Sequence, residues 1–80
     1  MTKAFILINC ELGSEGHIIS ELKKFSDVKE VQGTFGAYDI IVEVSSESIE
    51  KIRETITWKI RKIEKIRSTL TLTKIEGQGE

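Results

Sequence analysis

The chain predicts an α+β fold: a ferredoxin-like βαββαβ sandwich, with a four-stranded antiparallel sheet and two helices on one face. Three observations lead there. Four strand-like runs alternate with two amphipathic stretches in the order strand-helix-strand, strand-helix-strand. The connections between them are short, as this topology requires. The eighty residues hold no proline and no low-complexity tract, so residues 1–80 read as one domain.

Residues 3–10 carry a nearly continuous apolar run, Ala4-Phe5-Ile6-Leu7-Ile8, which predicts a strand covered on both faces. Leu12-Gly13 breaks it. Ser14 is the expected N-cap, and Glu15 suits the positive first turn. Ile18, Ile19, Leu22 and Phe25 recur at helical spacing and predict a helix over 15–25. Residues 28–35 and 38–44 read as the second and third strands. Ser45-Ser46 offers the cap of a longer helix, whose stripe is Ile49, Ile52, Ile56, Ile60 and Ile63. Glu47 and Lys51 form an i,i+4 pair on it, stabilising by ~0.3 kcal/mol. Trp58 falls off the stripe, either as a partly exposed aromatic or as the anchor of a further interface. The threonine-rich segment 65–75 alternates and is the fourth strand. Gly77-Gln78-Gly79-Glu80 is expected to fray.

Alternate strand residues point to opposite faces. Leu70 and Leu72 are assigned to the helix side, because helices supply apolar cover. Thr69, Thr71 and Thr73 then line the open face. Ile40, Val42 and Val44 form the apolar row of the third strand, leaving Asp39, Ile41 and Glu43 with the threonines. That open face is mixed and too apolar for plain solvent exposure. A second copy packed sheet to sheet would cover it, so a homodimer is expected.

Composition narrows the function classes. The 39% hydrophobic and 31% charged fractions fit a soluble globular domain. A net charge of −1 gives no general attraction to nucleic acid or to an anionic membrane. No apolar run approaches the ~20 residues that span a bilayer, and the N-terminus shows no cleavage pattern, so a cytoplasmic location is expected. Cys10 is the one cysteine and His17 the one histidine. They offer no metal cluster, no Ser-His pair and no cofactor motif, so no catalytic residue is assigned. Lys59, Arg61, Lys62, Lys65 and Arg67 form a local basic cluster, read as a solvated helix end.

The candidate site is the hairpin tip Gly33-Thr34-Phe35-Gly36-Ala37-Tyr38-Asp39. Gly36 takes positive φ at little cost, and Gly-X is a recognised hairpin loop. Asp39 interrupts the apolar run that follows it. A carboxylate there needs a partner, because an unpaired buried charge is costly. One partner is a ligand amine; another is the turn's own backbone.

The layout and the segment Gly36-Ala37-Tyr38-Asp39-Ile40-Ile41-Val42 together resemble the C-terminal effector domain of the Lrp/AsnC regulators, also called the RAM domain. The resemblance covers residues 3–75. Lys3-Ala4-Phe5-Ile6-Leu7-Ile8-Asn9 is similar to the family's first strand, and Val28-Lys29-Glu30-Val31 to its second. The Gly-x-Tyr-Asp signature falls on Gly36, Tyr38 and Asp39, and Arg67-Ser68-Thr69-Leu70-Thr71 is similar to the closing strand. The resemblance implies dimers joined through their sheets and assembled into rings, commonly octamers. It implies an amino-acid effector bound between dimers by Gly36, Tyr38, Asp39, Thr69 and Thr71. Backbone amides near Gly36 would approach the effector carboxylate, Asp39 would pair with the amine, and the threonines would offer hydroxyls.

The sequence departs from full-length family members at three points. No helix-turn-helix precedes the first strand, so a stand-alone effector domain is expected, acting without direct DNA contact or by co-assembly with full-length Lrp/AsnC regulators. Glu64-Lys65-Ile66 stands where the family often has a glycine. Phe35 replaces a common small polar residue and is expected to reshape the pocket. Two other classes share the fold: small dimeric ferredoxin-like enzymes and ACT-like amino-acid-binding modules of metabolic enzymes. The Gly-x-Tyr-Asp hairpin favours the regulatory reading.

Overall fold

In the computed structural model, which describes residues 2–34 and 36–73, the first strand, β1 (Thr2–Cys10), lies inside the sheet. Its chain neighbours are helix α1 (Glu15–Leu22), strands β2 (Val28–Gly33) and β3 (Ile40–Ser46), helix α2 (Ile49–Glu54) and strand β4 (Ile66–Thr73). A π-helical segment, Thr55–Ile60, continues α2. The sheet order is β2-β3-β1-β4 with every pairing antiparallel, the ferredoxin-like arrangement. The expected frayed tail, the strand end at 74–75 and Phe35 lie outside the described residues.

One face of β1 is fully buried. Ala4, Ile6 and Ile8 meet Ile40, Val42 and Val44 of β3 beneath Ile18 and Leu22 of α1 and Ile52, Ile56 and Ile60 of the second helix. This confirms the helix-side row of β3 and the isoleucine stripe. A wider turn lies within it: Arg61 N donates to Ile56 O at 3.0 Å, five residues back. Trp58 stays outside it, 63% exposed.

The assignment of β4 is overturned. Thr69 pairs with Ile8, Thr71 with Ile6 and Thr73 with Ala4, whereas Leu70 pairs with Leu7 and Leu72 with Phe5. Cross-strand partners share a face. The threonines therefore lie on the helix side, and Leu70 and Leu72 on the open face. β4 is an edge strand, so its helix-side row borders the layer above and tolerates hydroxyls. The open face is correspondingly more apolar than the sequence suggested. Phe5, Ile41, Leu70 and Leu72 are 38–49% exposed on it, with Leu7 half-buried among them.

Two boundaries also differ from expectation. Ser45 and Ser46 are buried strand residues paired with Lys3 and Thr2. The cap is Ser48, whose hydroxyl accepts from Lys51 N at 3.3 Å. Glu47 thus precedes the helix and makes no i,i+4 pair with Lys51. Helix α1 stops at Leu22, because Lys24 N and Phe25 N donate three residues back, to Glu21 O and Leu22 O, in tightening turns. Ser14 occupies the N-cap position without a side-chain cap bond. Glu15 instead reaches back to accept from Gly13 N at 2.9 Å.

Asp27, between α1 and β2, ties three elements together. Its carbonyl accepts from Ser45 N at 2.9 Å, and its carboxylate accepts from the hydroxyl of buried Thr55 at 2.8 Å. Thr55→Val keeps the shape and removes this bond. It is expected to cost about 1–2 kcal/mol in chemical denaturation.

Lys65, entering β4, has φ 78°, the left-handed region that favours glycine. Its ion pair with Glu11, 3.9 Å between exposed groups, contributes little. Lys65→Gly is expected to stabilise the fold by about 0.5–1 kcal/mol, read as a rise in Tm of a few degrees. An unchanged or lower Tm contradicts this.

Candidate functional site

At one end of the sheet, Asp39 joins the β2–β3 hairpin to β1. Its N–H donates to Ile8 O at 2.9 Å, and its carbonyl accepts from Thr34 N at 2.9 Å. Its carboxylate accepts from Cys10 N, also at 2.9 Å. The Thr34 hydroxyl donates to Tyr38 O and closes the loop from within. The Asp39 carboxylate is therefore fastened to a neighbouring strand, while its backbone carbonyl closes the turn. Only Oδ2 is engaged among the described residues, so Oδ1 keeps its acceptor capacity.

Opposite Asp39, the β1–β4 ladder is irregular. Asn9 pairs with Ser68 and Cys10 with Ile66, which leaves Arg67 as the unpaired residue of a β-bulge. Bulges re-aim side chains and concentrate beside binding sites. Here the result is an open cleft of about 460 Å³ lined by Asn9, Cys10, Asp39, Arg67 and Ser68. A carboxylate, a guanidinium, an amide and a hydroxyl thus share one concavity of ligand-pocket size. Such a set complements a small zwitterion, with the cation end at Asp39 and the anion end at Arg67.

Cys10 lines the cleft as a neutral thiol. Burial pushes its pKa up, the Ser14 hydroxyl offsets part of this, and the nearby Asp39 and Glu15 carboxylates raise it again. Its Sγ lies 3.8 Å from Glu15 Oε1. A thiol so placed is a weak nucleophile at neutral pH. Among the described residues no group of three His, Cys, Asp or Glu side chains is placed to hold a metal.

The five residues singled out from sequence are divided by the fold. Asp39 lines the cleft. Gly36, with φ 136°, and half-buried Tyr38 stand on the adjoining hairpin. Thr69 and Thr71 lie on the opposite, helix-facing side and do not join Asp39 within one chain. The expected common face of Asp39 and the threonines is thereby corrected. Asp39 continues the row of Ile41 and Glu43, which pair with Leu7 and Phe5.

Asn9, Cys10, Arg67 and Ser68 were not singled out. The signal available for them was antiparallel neighbourhood, since the end of one strand and the start of the last must meet beside the hairpin. The basic cluster is dispersed rather than shared. Lys65 faces Glu11, Lys59 and Lys62 lie over the Phe25 and Trp58 rings, and Arg67 enters the cleft.

Comparison with known proteins agrees with this architecture. The family described as the Lrp/AsnC ligand binding domain matches residues 3–76. The uncharacterized HTH-type transcriptional regulator PH0140 of Pyrococcus horikoshii is 32% identical over 78 residues, covering 95% of this chain and 49% of that protein. The chain thus spans about half the length of this regulator. The crystal structure of the hypothetical protein PHS023, also from Pyrococcus horikoshii, superposes with a TM-score of 0.88 at 36% identity. It covers 94% of this chain and 90% of its own. E. coli AsnC superposes with a TM-score of 0.89 at 27% identity, over 96% of this chain and 52% of its own. No helix among the described residues is long and apolar enough to cross a membrane. On fold, motif and sequence together, the chain belongs to the Lrp/AsnC ligand-binding domain family.

Proposed function

We propose that the chain is an amino-acid-responsive regulatory and oligomerisation module of transcriptional control, not an enzyme. The observation that carries this reading is that Asp39 and Arg67 line one cleft. The effector's ammonium sits at Asp39 and its carboxylate at Arg67, with Asn9 and Ser68 supplying neutral hydrogen bonds. Gly36 and Tyr38 contribute from the adjoining hairpin. Thr69 and Thr71, facing away in one chain, reach an effector only from a neighbouring subunit. The neutral Cys10 thiol, a weak nucleophile, favours binding over catalysis.

Assembly follows from the open face. Phe5, Ile41, Leu70 and Leu72 form an exposed apolar patch that a second copy would bury. Trp58 anchors contacts between dimers in a ring such as an octamer, or in co-assembly with full-length Lrp/AsnC regulators. The proposed setting is the cytoplasm, where such regulators meet free amino acids, with DNA contact made by the partner regulator.

Two measurements test this. A thermal-shift screen with the common amino acids should reveal one that stabilises the chain, by about 2.7 kcal/mol at 100 times Kd. Asp39→Asn keeps an oxygen for Cys10 N–H but removes the charge, and is expected to abolish most of that shift. A variant that responds like the parent shows the ammonium to be bound elsewhere. In sedimentation at micromolar concentration, the parent should run at a multiple of its 9.1 kDa chain mass. The Leu70→Lys/Leu72→Lys double variant should run as a monomer. A parent that is itself monomeric removes the assembly half of the reading.

A further inference from the structure

Because the threonines turn toward the helices, they border a second concavity, on the opposite side of the sheet from the open face. This groove, of about 310 Å³, runs between β4 and the second helix. Its floor is Ile49, Ile52 and Ile56, its wall Thr71 and Thr73, and its rim Arg53 and Arg61. Neither guanidinium makes an ion pair among the described residues. Among the described residues no acidic side chain lines the groove, although Glu50 and Glu54 are near Arg53 in sequence. Two cations and two hydroxyls thus stand over an isoleucine floor, with no carboxylate among the described lining residues to balance them.

We propose that this groove binds a small carboxylate with a branched aliphatic body and no amino group, such as a 2-oxo acid. Guanidinium groups match a carboxylate's two oxygens in bidentate geometry, and the threonine hydroxyls can donate to the same group or to a 2-oxo oxygen. The aliphatic body removes apolar surface from water against the isoleucines. An α-ammonium finds no acceptor of opposite charge here and is repelled by both arginines, so the groove selects against the zwitterions proposed for the Asp39 cleft. Within one chain the two concavities lie on opposite sides of the sheet and have no lining residue in common.

The test is calorimetric titration of the whole chain with 4-methyl-2-oxopentanoate, alongside leucine, 4-methylpentanamide and inorganic phosphate. Saturable binding of the oxo acid is expected. Arg53→Gln/Arg61→Gln should weaken it about tenfold or more, while Asp39→Asn leaves it unchanged. Both arginines are exposed, so the double variant should keep the parent's Tm, which separates lost binding from lost folding. The amide and phosphate should bind more weakly, for want of charge and of apolar contact respectively. Absence of saturation at about 10 mM overturns the proposal, as does oxo-acid binding unaffected by the arginine changes. Equal affinity for phosphate shows an anion site without use of the floor and also overturns it. Loss of oxo-acid binding in Asp39→Asn relocates the ligand to the other cleft. None of these outcomes bears on leucine binding at Asp39, so the two readings fail separately.

Discussion

The register of β1 against its two neighbours is the constraint on which the rest of the molecule depends. β1 is apolar on both faces, and its side chains alternate strictly. Once Ile6 is set opposite Val42 and Thr71, every other residue of three strands has a determined face. A slip of one residue would exchange Ala4, Ile6 and Ile8 for Phe5, Leu7 and Asn9 beneath the helices. It would bury Asn9 and overfill the narrow layer with a phenylalanine where alanine now fits. Burial of the isoleucines under Ile18, Leu22, Ile52 and Ile60 therefore selects the register, and the register then places polar groups that contribute nothing to that burial.

The cleft is a consequence of where this ladder fails. Regular pairing runs from Ala4 to Asn9 on the β4 side and then shifts. A continued ladder would have faced Cys10 with Arg67. The bulge removes Arg67 from pairing and gives it to the cleft, while Cys10 N–H finds its acceptor in Asp39. The carboxylate thus satisfies a backbone donor that would otherwise cost about 1–3 kcal/mol if left buried and unpaired. Asp39 has a structural role that needs no ligand, and a second oxygen left over for one. The turn role posed by the sequence is not what the carboxylate does: one oxygen serves Cys10 N–H of β1, and the other remains available to a ligand.

Much of the fold was legible because long-period patterns carry it. The isoleucine stripe from Ile49 to Ile60 and the row Ile40, Val42, Val44 each name their buried face without reference to any other segment. β4 could not be read this way. Leu70 and Leu72 against Thr69, Thr71 and Thr73 gives a clear alternation, but which row faces the helices is decided by pairing with β1, information that lies sixty residues away. An edge strand also relaxes the rule that apolar rows turn inward, because the helices do not reach across it. Among Ser45, Ser46 and Ser48, each a competent cap, the cap falls to Ser48 because Ser45 and Ser46 find strand partners in Lys3 and Thr2. The π-helical turn left no sequence mark, since the spacings of the stripe are those of an ordinary helix. The hairpin and Asp39 were legible as a candidate site. Arg67 was not, because a bulge without glycine gives no local signal and its neighbours made it look like part of a solvated basic cluster.

The placement of Asn9 and Ser68 links the cleft to the proposed assembly. Both lie in the open-face rows that contain Leu7, Leu70 and Leu72. A partner covering those residues would border the cleft, so an effector there meets a different surface in the assembled and the separate states. Any difference in its affinity for the two states must appear, with equal size, as a difference in association strength. Without such a difference the effector shifts nothing, however tightly it binds. In the proposed assembly the apolar patch would supply the drive to associate, and the charged cleft at its margin a term that depends on the effector. Separating the two along one sheet face lets the second vary while the first stays constant. A regulatory module needs that separation, because association that depended wholly on the effector would leave the small domain without cover for Phe5, Ile41, Leu70 and Leu72 in its absence.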